Sequence, residues 1–368
     1  MTDPLNVALA VDALSPRLTG IGRYCLELVR GVPLVPGVGD VRFFRGPHWV
    51  EDPEALLVEG WAPAPLGRLS RWLSKRRNQR SMQTSVVHGP NFFLPDWAEQ
   101  GVITVHDLSV LLYPETHPAE RVRDFERRFQ SSLDRASAII TDSEAVRGEI
   151  ISMLGVPAEK VTAIPLGVSV PASRADPLLL QQLGLAHDGY SLCVSTFEPR
   201  KRIDALVKAY GLMDIALRRT VPLVLAGASG WRNDALNSLI ETGVAEGWVR
   251  RLDFVPDQLL ATLYAGARLF IYPSRYEGFG LPPIEAMHHG ASTIVGNAAA
   301  LVEVTRGAAR VVDPDDIQSF SDVLAASLND RQWRAAAAVA GRAVAQAYQW
   351  SECVKKTVEL YAEFEKKR

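Results

Sequence analysis

A chain of 368 residues, 47% hydrophobic and 22% charged, exceeds one ordinary core and predicts two domains of a soluble globular protein. Its net charge of −2 argues against a nucleic-acid partner, and no span approaches the roughly 20 apolar residues that cross a bilayer. Cys25, Cys193 and Cys353 lie far apart, make no metal-ligand pattern and leave an odd count, which reads as reduced core residues of a cytoplasmic protein.

The N-terminus, MTDPLNVALAVDA, is acidic with a short apolar run, so it reads as a first strand over Val7–Ala13 and not as a signal peptide. Thr19-Gly20-Ile21-Gly22-Arg23-Tyr24 comes next and leads into a helix to about Arg30; the glycine pair is either a tight turn or a place where backbone N–H groups approach a ligand. Further strands are expected at Val41–Phe44, Ser85–His88, Val102–His106, Ala138–Thr141 and Val161–Pro165, the rhythm of a parallel sheet with crossover helices. Arg68–Arg80 holds six basic residues and no acid, beside Trp61, Leu66, Leu69, Trp72 and Leu73. That run suits either a solvated face or an amphipathic helix on anionic lipid.

His106 and Asp107 close a strand and project from its carboxyl edge, where a packed, hydrogen-bonded histidine and a ligand contact are both open readings. A helix over Thr116–Leu133 carries mixed charge and calls for no function. Asp142-Ser143-Glu144 reads as a helix cap before Ala145–Leu154. Past Val168 the chain turns polar and proline-marked through Pro171, Ser173, Asp176 and Pro177, as an interdomain linker would.

The second half opens with a strand at Ser191–Thr196, then FEPRKRI at 197–203 and a helix over Asp204–Leu212. Three cations at a helix start oppose its dipole, and a bound diphosphate would resolve the conflict through Arg200 and Lys201. Strands are expected at Pro222–Gly227, with a loop at Ala228–Trp231, at Leu252–Val255 and at Leu269–Tyr272. After the last of these Pro273 stops the strand, Gly278 and Gly280 let the backbone turn sharply, and Pro282 and Pro283 fit the first turn of a helix through His289. Glu277 and Glu285 flank this loop; each can fix a vicinal diol, or serve only as a solvated acid and a first-turn helix glutamate. The sequence is alanine-rich and helical from Arg331, with a final helix over Tyr348–Lys367.

Two glutamates framing GFGLPPI, with Ala286-Met287 next and Gly296-Asn297 later, resemble the retaining nucleotide-sugar glycosyltransferases of family four. The likeness extends over TGIGRY at 19–24, HDLS at 106–109, PLGV at 165–168, FEPRKRI, LAGASGW at 225–231, DFVPDQLLATLYAGA at 253–267 and VVDPDD at 311–316. It implies an α/β GT-B fold, two facing Rossmann-like domains with parallel sheets and a cleft between them. These would be an acceptor-side domain at 1–170, completed by a C-terminal helix at 348–368, and a nucleotide-sugar-binding domain at 185–345. It further implies that Gly20, Gly22 and Arg23 lie near the donor phosphate or the acceptor and that Arg200 and Lys201 hold the diphosphate. Glu277 with Gly278, Phe279, Gly280 and Leu281 would bind the sugar and Glu285 the ribose. His106 would place the transferred sugar, and Asp107 would order its loop or meet the acceptor, neither as a covalent nucleophile, and the catalytic set is His106, Asp107 and Glu277. Ala298 and Ala299 depart from the family, where small hydroxyl residues are frequent.

TGIGRY, HDLS and EPRK together are most like bacterial O-antigen mannosyltransferases. That likeness implies transfer of mannose, or a deoxyhexose such as rhamnose, from a GDP-sugar to a hydroxyl of a growing or lipid-linked polysaccharide. No cofactor beyond this co-substrate is implied. No Asp-x-Asp motif follows a strand where a metal-dependent transferase would want it, so no metal is assigned. The protein would be cytoplasmic, held at the inner face of the membrane through Arg68–Arg80. A nucleotide-sugar 2-epimerase of the same fold and a non-catalytic sugar-nucleotide-binding subunit are the alternatives.

Overall fold

A computed structural model describes residues 4–60, 84–169, 176–227, 234–253 and 255–367. The basic run at Arg68–Arg80, the Ala228–Trp231 loop, and Pro171 and Ser173 of the expected linker lie outside the described residues. The chain divides into two compact units, one of Met1–Leu108, Glu120–Gly167 and Gln349–Arg368, the other of Ser109–Ala119 and Val168–Tyr348.

The first unit is built on a sheet whose strands are β1 (Leu5–Ala10), β2 (Val38–Arg45), β3 (His48–Val50), β4 (Ser85–Gly89), β5 (Gly101–Val105), β6 (Ala136–Thr141) and β7 (Val161–Ala163). Their order is β3-β2-β1-β4-β5-β6-β7, parallel throughout except for the edge strand β3. β4 and β5 are buried at every position, the pattern of strands covered on both faces, so exposed and buried positions do not alternate along them. The helix Trp350–Lys367 packs into this unit, where a Cβ on Gly31 would come within 2.8 Å of Val354. Its Tyr361 hydroxyl lies 2.5 Å from His88 Nδ1.

The second unit holds β8 (Ser191–Val194), β9 (Leu223–Ala226), β10 (Val249–Leu252), β11 (Leu269–Tyr272), β12 (Thr293–Gly296) and β13 (Arg310–Val312), in the all-parallel order β10-β9-β8-β11-β12-β13. In each sheet the direction of winding reverses once, between β1 and β4 and between β8 and β11, and ligands of open α/β sheets bind beyond the carboxyl ends of such strands.

Several boundaries differ from expectation for local reasons. β10 ends at Leu252 because it pairs with β9 from Val249↔Leu223 to Leu252↔Ala226, after which Gly227 N–H bonds the Leu252 and Asp253 carbonyls. The helix expected from Thr116 begins at Ala119, since Pro118 disfavours helical geometry in the residue before it and Thr116 closes a separate turn. β3 and β13 span only three residues each, too few for periodicity to show. All three cysteines are buried free thiols, and burial pushes Cys193 up to about 12. Among the described residues no helix is long and apolar enough to cross a membrane.

Candidate functional site

In the second unit the short turn Pro199–Lys201 follows β8 and the loop Pro273–Gly280 follows β11, so both stand at the strand ends where the sheet reverses. The turn and the loop are tied together: Arg275 N–H donates to the Arg200 carbonyl at 3.1 Å, and Arg200 Nη1 donates to the Tyr276 carbonyl at 2.5 Å. Glu277 then lies between the cations, with Lys201 Nζ 2.6 Å from Oε1 and Arg200 Nη1 3.3 Å from Oε2. Lys201 also donates to the Tyr272 hydroxyl at 2.9 Å, and Glu198 lies 3.7 Å from Arg200.

All three side chains are largely shielded from water, Glu277 being 8% exposed and Arg200 9%. Burial alone would push Glu277 up, but Lys201 and Arg200 outweigh it and hold the carboxyl below its ordinary range. Burial lowers Lys201, Arg200 lowers it further and Glu277 opposes both. The cluster thus sets Arg200 and Lys201 against Glu277 and Glu198 in a shielded place, and its two fixed cations suit a ligand bearing a diphosphate. The helix Ile203–Leu212 that comes next has no side-chain cap at its start, because Arg202 occupies that position in a left-handed conformation with φ +53°.

Beyond Glu277 the chain enters the helix Leu281–His288 through Gly280, whose φ is +100°. A Cβ there would also stand 2.4 Å from Leu301, so only glycine fits. The Phe279 ring is 3% exposed and meets Tyr348 edge-on at 5.3 Å, which makes it a core contact; any donor contact from this position comes from its backbone. Gly278 is buried and Leu281 half-buried at the helix start. Glu285 accepts from the Tyr264 hydroxyl at 2.9 Å, and Tyr264 stacks on His289 at 5.9 Å, so this acid is oriented by an aromatic pair and remains half-buried.

Asp313-Pro314-Asp315 follows β13. Asp315 is taken up by Arg275, at 2.6 and 2.7 Å, and by Arg202, while Asp313 accepts the Asp315 N–H. Arg202, the third cation of FEPRKRI, is thus engaged at the protein surface and separate from the buried pair.

In the first unit His106 follows β5 and Asp142 follows β6. Because Val105 pairs with Thr141, the two stand side by side, with His106 Nδ1 2.8 Å from Asp142 Oδ2. His106 Nε2 donates to the Pro90 carbonyl at 2.9 Å, and the ring is 6% exposed. Both nitrogens are engaged inside the unit, which fixes the loop after β5 to Pro90 and Asp142. Burial pushes its pKa down, yet the Asp142 carboxylate and the two hydrogen bonds lift it above the usual histidine range. Asp142 itself is raised by burial against the pull of His106. Asp107 sits next to the pair and adds to its field.

Gly22 N–H is bonded by the Thr19 hydroxyl at 3.2 Å, an N-cap of the helix Gly20–Gly31, so that amide is not offered to a ligand. Gly20 is exposed at the helix start. Asp142 is legible in the sequence only as part of a cap, a role that Ser143 fills by accepting the Val146 N–H. Tyr264, Tyr272 and Glu198, which orient or balance the charged groups, carry no motif of their own.

With this geometry in place, the comparisons with known proteins are informative. Residues 19–170 match the model of Glycosyltransferase Family 4, and residues 180–344 match that of Glycosyl transferases group 1. The chain is 38% identical to the O-antigen chain mannosyltransferase B of Escherichia coli over 97% of its own length and 99% of that protein. Among solved structures it superposes with TM-score 0.72 and 16% identity on WaaG, a glycosyltransferase involved in lipopolysaccharide biosynthesis, covering 96% of this chain and 99% of that one. On Anabaena HepE in complex with UDP and glucose the TM-score is 0.71 at 18% identity, covering 98% and 100%. These two likenesses speak for the GT-B fold.

Proposed function

The chain belongs to the glycosyltransferases of group 1 and family 4, and we propose that it moves a mannosyl residue from GDP-mannose to a hydroxyl of a growing O-antigen-type polysaccharide. The observation that carries transfer from a sugar diphosphate is the Arg200–Lys201–Glu277 cluster at the β8/β11 switch point. The choice of mannose rests on the 38% identity to the O-antigen mannosyltransferase along 97% of the chain, which also weighs against the epimerase and the binding-subunit alternatives.

In this reading Arg200 and Lys201 stabilise the diphosphate as it leaves, doing with fixed cations what a metal does elsewhere. Glu277, kept ionised by those same cations, accepts hydrogen bonds from sugar hydroxyls together with the Gly278–Leu281 backbone, and Glu285 holds the ribose diol. The bond between the anomeric carbon and the β-phosphate oxygen breaks. The acceptor oxygen bonds that carbon on the same face, and its proton passes to the departing phosphate, so the products are GDP and an α-mannoside with retained configuration. The acceptor is a lipid-linked glycan at the cytoplasmic face of the membrane, a reading supported by the Arg68–Arg80 composition.

Thermal shift against GDP, UDP, ADP and dTDP tests the donor, because a ligand at 100 times its dissociation constant stabilises the fold by about 2.7 kcal/mol. A shift with GDP alone, then GDP release from GDP-mannose in the presence of a mannan acceptor and an α-anomeric product by NMR, is the expected result. A response confined to UDP or dTDP overturns the donor assignment, and a β-anomer overturns retention.

A further inference from the structure

We propose that Asp315 is a positioning residue for the transfer: its single carboxylate clasps Arg202 and Arg275 together and so holds the Arg200-Lys201 turn against the loop that carries Glu277. The consequence for turnover rests on the glycosyltransferase reading; the clasp itself rests on the contacts alone. Asp315 stands outside the buried cluster, its side chain 55% exposed, so it acts through the two arginines.

The contacts close a ring. Arg275 lies in the loop after β11 between two buried residues, Ser274 and Tyr276, and its own side chain turns outward. Its backbone N–H donates to the Arg200 carbonyl at 3.1 Å, while its Nη2 reaches both Asp315 oxygens, at 2.6 and 2.7 Å. Arg202, two residues past Arg200, gives its Nη1 to Asp315 Oδ1, the oxygen that Arg275 also takes. A carboxylate has lone pairs enough for both donors. Moving the turn away from the loop therefore breaks the bond between Arg275 and Arg200 only if it also pulls an arginine off the carboxylate. Glu277 follows Arg275 by two positions and Lys201 directly precedes Arg202, so a slip in the ring is a slip of the 2.6 Å Lys201–Glu277 pair.

The acids around Asp315 in VVDPDD have separate tasks. Asp313 Oδ1 accepts the Asp315 N–H at 2.9 Å and shapes the turn after β13, and Asp316 caps the helix Ile317–Asn329 by accepting the Ser319 N–H at 3.0 Å. They fix the backbone on either side and leave the Asp315 carboxylate to the arginines. The hydrogen bond from Arg202, opposed by burial and joined by the one from Arg275, holds that carboxyl below its ordinary range, so it stays ionised. Arg202 also keeps its φ of +53°, a conformation that costs energy and persists where neighbours over-determine it. Asp204, 3.3 Å from its Nε, and Asp315 at Nη1 grip that side chain from two directions. An isolated exposed ion pair contributes little, but one carboxylate shared by arginines on two adjoining elements is a network with a defined geometry.

The test uses the full chain with Asp315→Asn, which keeps the size and removes the charge, and with Arg202→Met and Arg275→Met, which keep an unbranched stem and remove the guanidinium. Hydrogen exchange of the Arg275 amide reads the clasp without any donor, and GDP release from GDP-mannose reads its effect on turnover. In Asp315→Asn that amide is expected to exchange about tenfold faster, while the amides of β8 and β11 keep their rates. The expected fall in kcat is about tenfold, less than the roughly 10²-fold that a 1 Å misplacement costs, and the melting temperature stays because the carboxylate is exposed. With both arginines already replaced, Asp315→Asn should change neither rate further. An unchanged Arg275 exchange rate, faster exchange with kcat intact, or an undiminished effect of Asp315→Asn in the double-methionine background overturns the proposal. Faster exchange in a protein that turns over another sugar nucleotide but not GDP-mannose leaves the clasp standing and overturns the donor reading instead.

Discussion

Lys201 Nζ stands 2.6 Å from Glu277 Oε1, in a pocket where neither group is more than about a tenth exposed. A buried pair of this kind is weak evidence of net stabilisation, but removing one partner leaves an uncompensated charge and typically costs about 3–5 kcal/mol. Glu277→Gln is therefore expected to lower stability by that amount in urea unfolding. GDP should recover part of the loss, since a bound diphosphate neutralises the two cations that the substitution exposes to each other. A loss in Glu277→Gln that GDP leaves untouched would separate the cations from the donor.

Arg200→Ala removes a donor aimed, in the proposed chemistry, at charge that develops on the leaving diphosphate. Loss of one such pre-organised group costs about 10²–10³ in kcat. The expected outcome is that fall in kcat for GDP release, with GDP binding weakened much less. Equal losses in both would mean that Arg200 binds the ground state and does not discriminate the transition state.

Much of this cluster can be read from the sequence because its signals are local. Proline and glycine in GFGLPPI encode a strand-loop-helix turn through backbone geometry alone, and Arg200-Lys201-Arg202 before a helix announces a conflict with the dipole that needs an anion. What joins them is not local: Glu277 meets Lys201 only because β8 and β11 are neighbours in the sheet. The same holds for His106 and Asp142, 36 residues apart in sequence, which touch through the β5–β6 register. The short strands β3 and β13 offer no period to detect.

Gly280→Ala tests the turn into the helix Leu281–His288. Alanine at φ +100° is strained, of order 1–3 kcal/mol, and its Cβ meets Leu301 at 2.4 Å as well. Trimming Leu301→Ala relieves the collision but not the dihedral, so the double variant should be less destabilised than the sum of the two singles, with a residual loss that trimming does not recover. Strict additivity in thermal unfolding would show that Leu301 is not what the new methyl group strikes.

Arg68–Arg80, with six cations and no acid, is expected to hold the protein to anionic vesicles with about 1 kcal/mol per cation near the surface. Co-sedimentation with phosphatidylglycerol vesicles should fall as salt rises, and an Arg76→Glu, Arg77→Glu variant should fall further. Equal, negligible binding to neutral and anionic vesicles would assign the run to a solvated face.

Two histidines of the first unit give stability opposite slopes on either side of neutrality. His88 is fully buried between the Tyr361 hydroxyl at 2.5 Å and the Thr104 hydroxyl at 2.9 Å; burial first, then the His106 charge, lower it to about 3. The unfolded chain takes up that proton near pH 6.5, so the stability present above about 6.5 is lost as pH falls from there toward 3, by up to roughly 1.4 kcal/mol per pH unit. His106 runs the other way: its folded pKa is raised, so its contribution is complete below about 6.5 and is lost as pH rises through the folded value. The raised Asp142 carboxyl also loses its contribution as pH rises, but from about pH 3.9 upward, so it opposes the His88 slope on the acid side. Stability measured by urea unfolding should therefore pass through a maximum near pH 6.5. Asp142→Asn should flatten the alkaline limb and His88→Gln the acid limb above pH 4, before ordinary carboxylates titrate. If Asp142→Asn leaves the alkaline slope as it was, the proton shared by His106 and Asp142 is not what folding takes up.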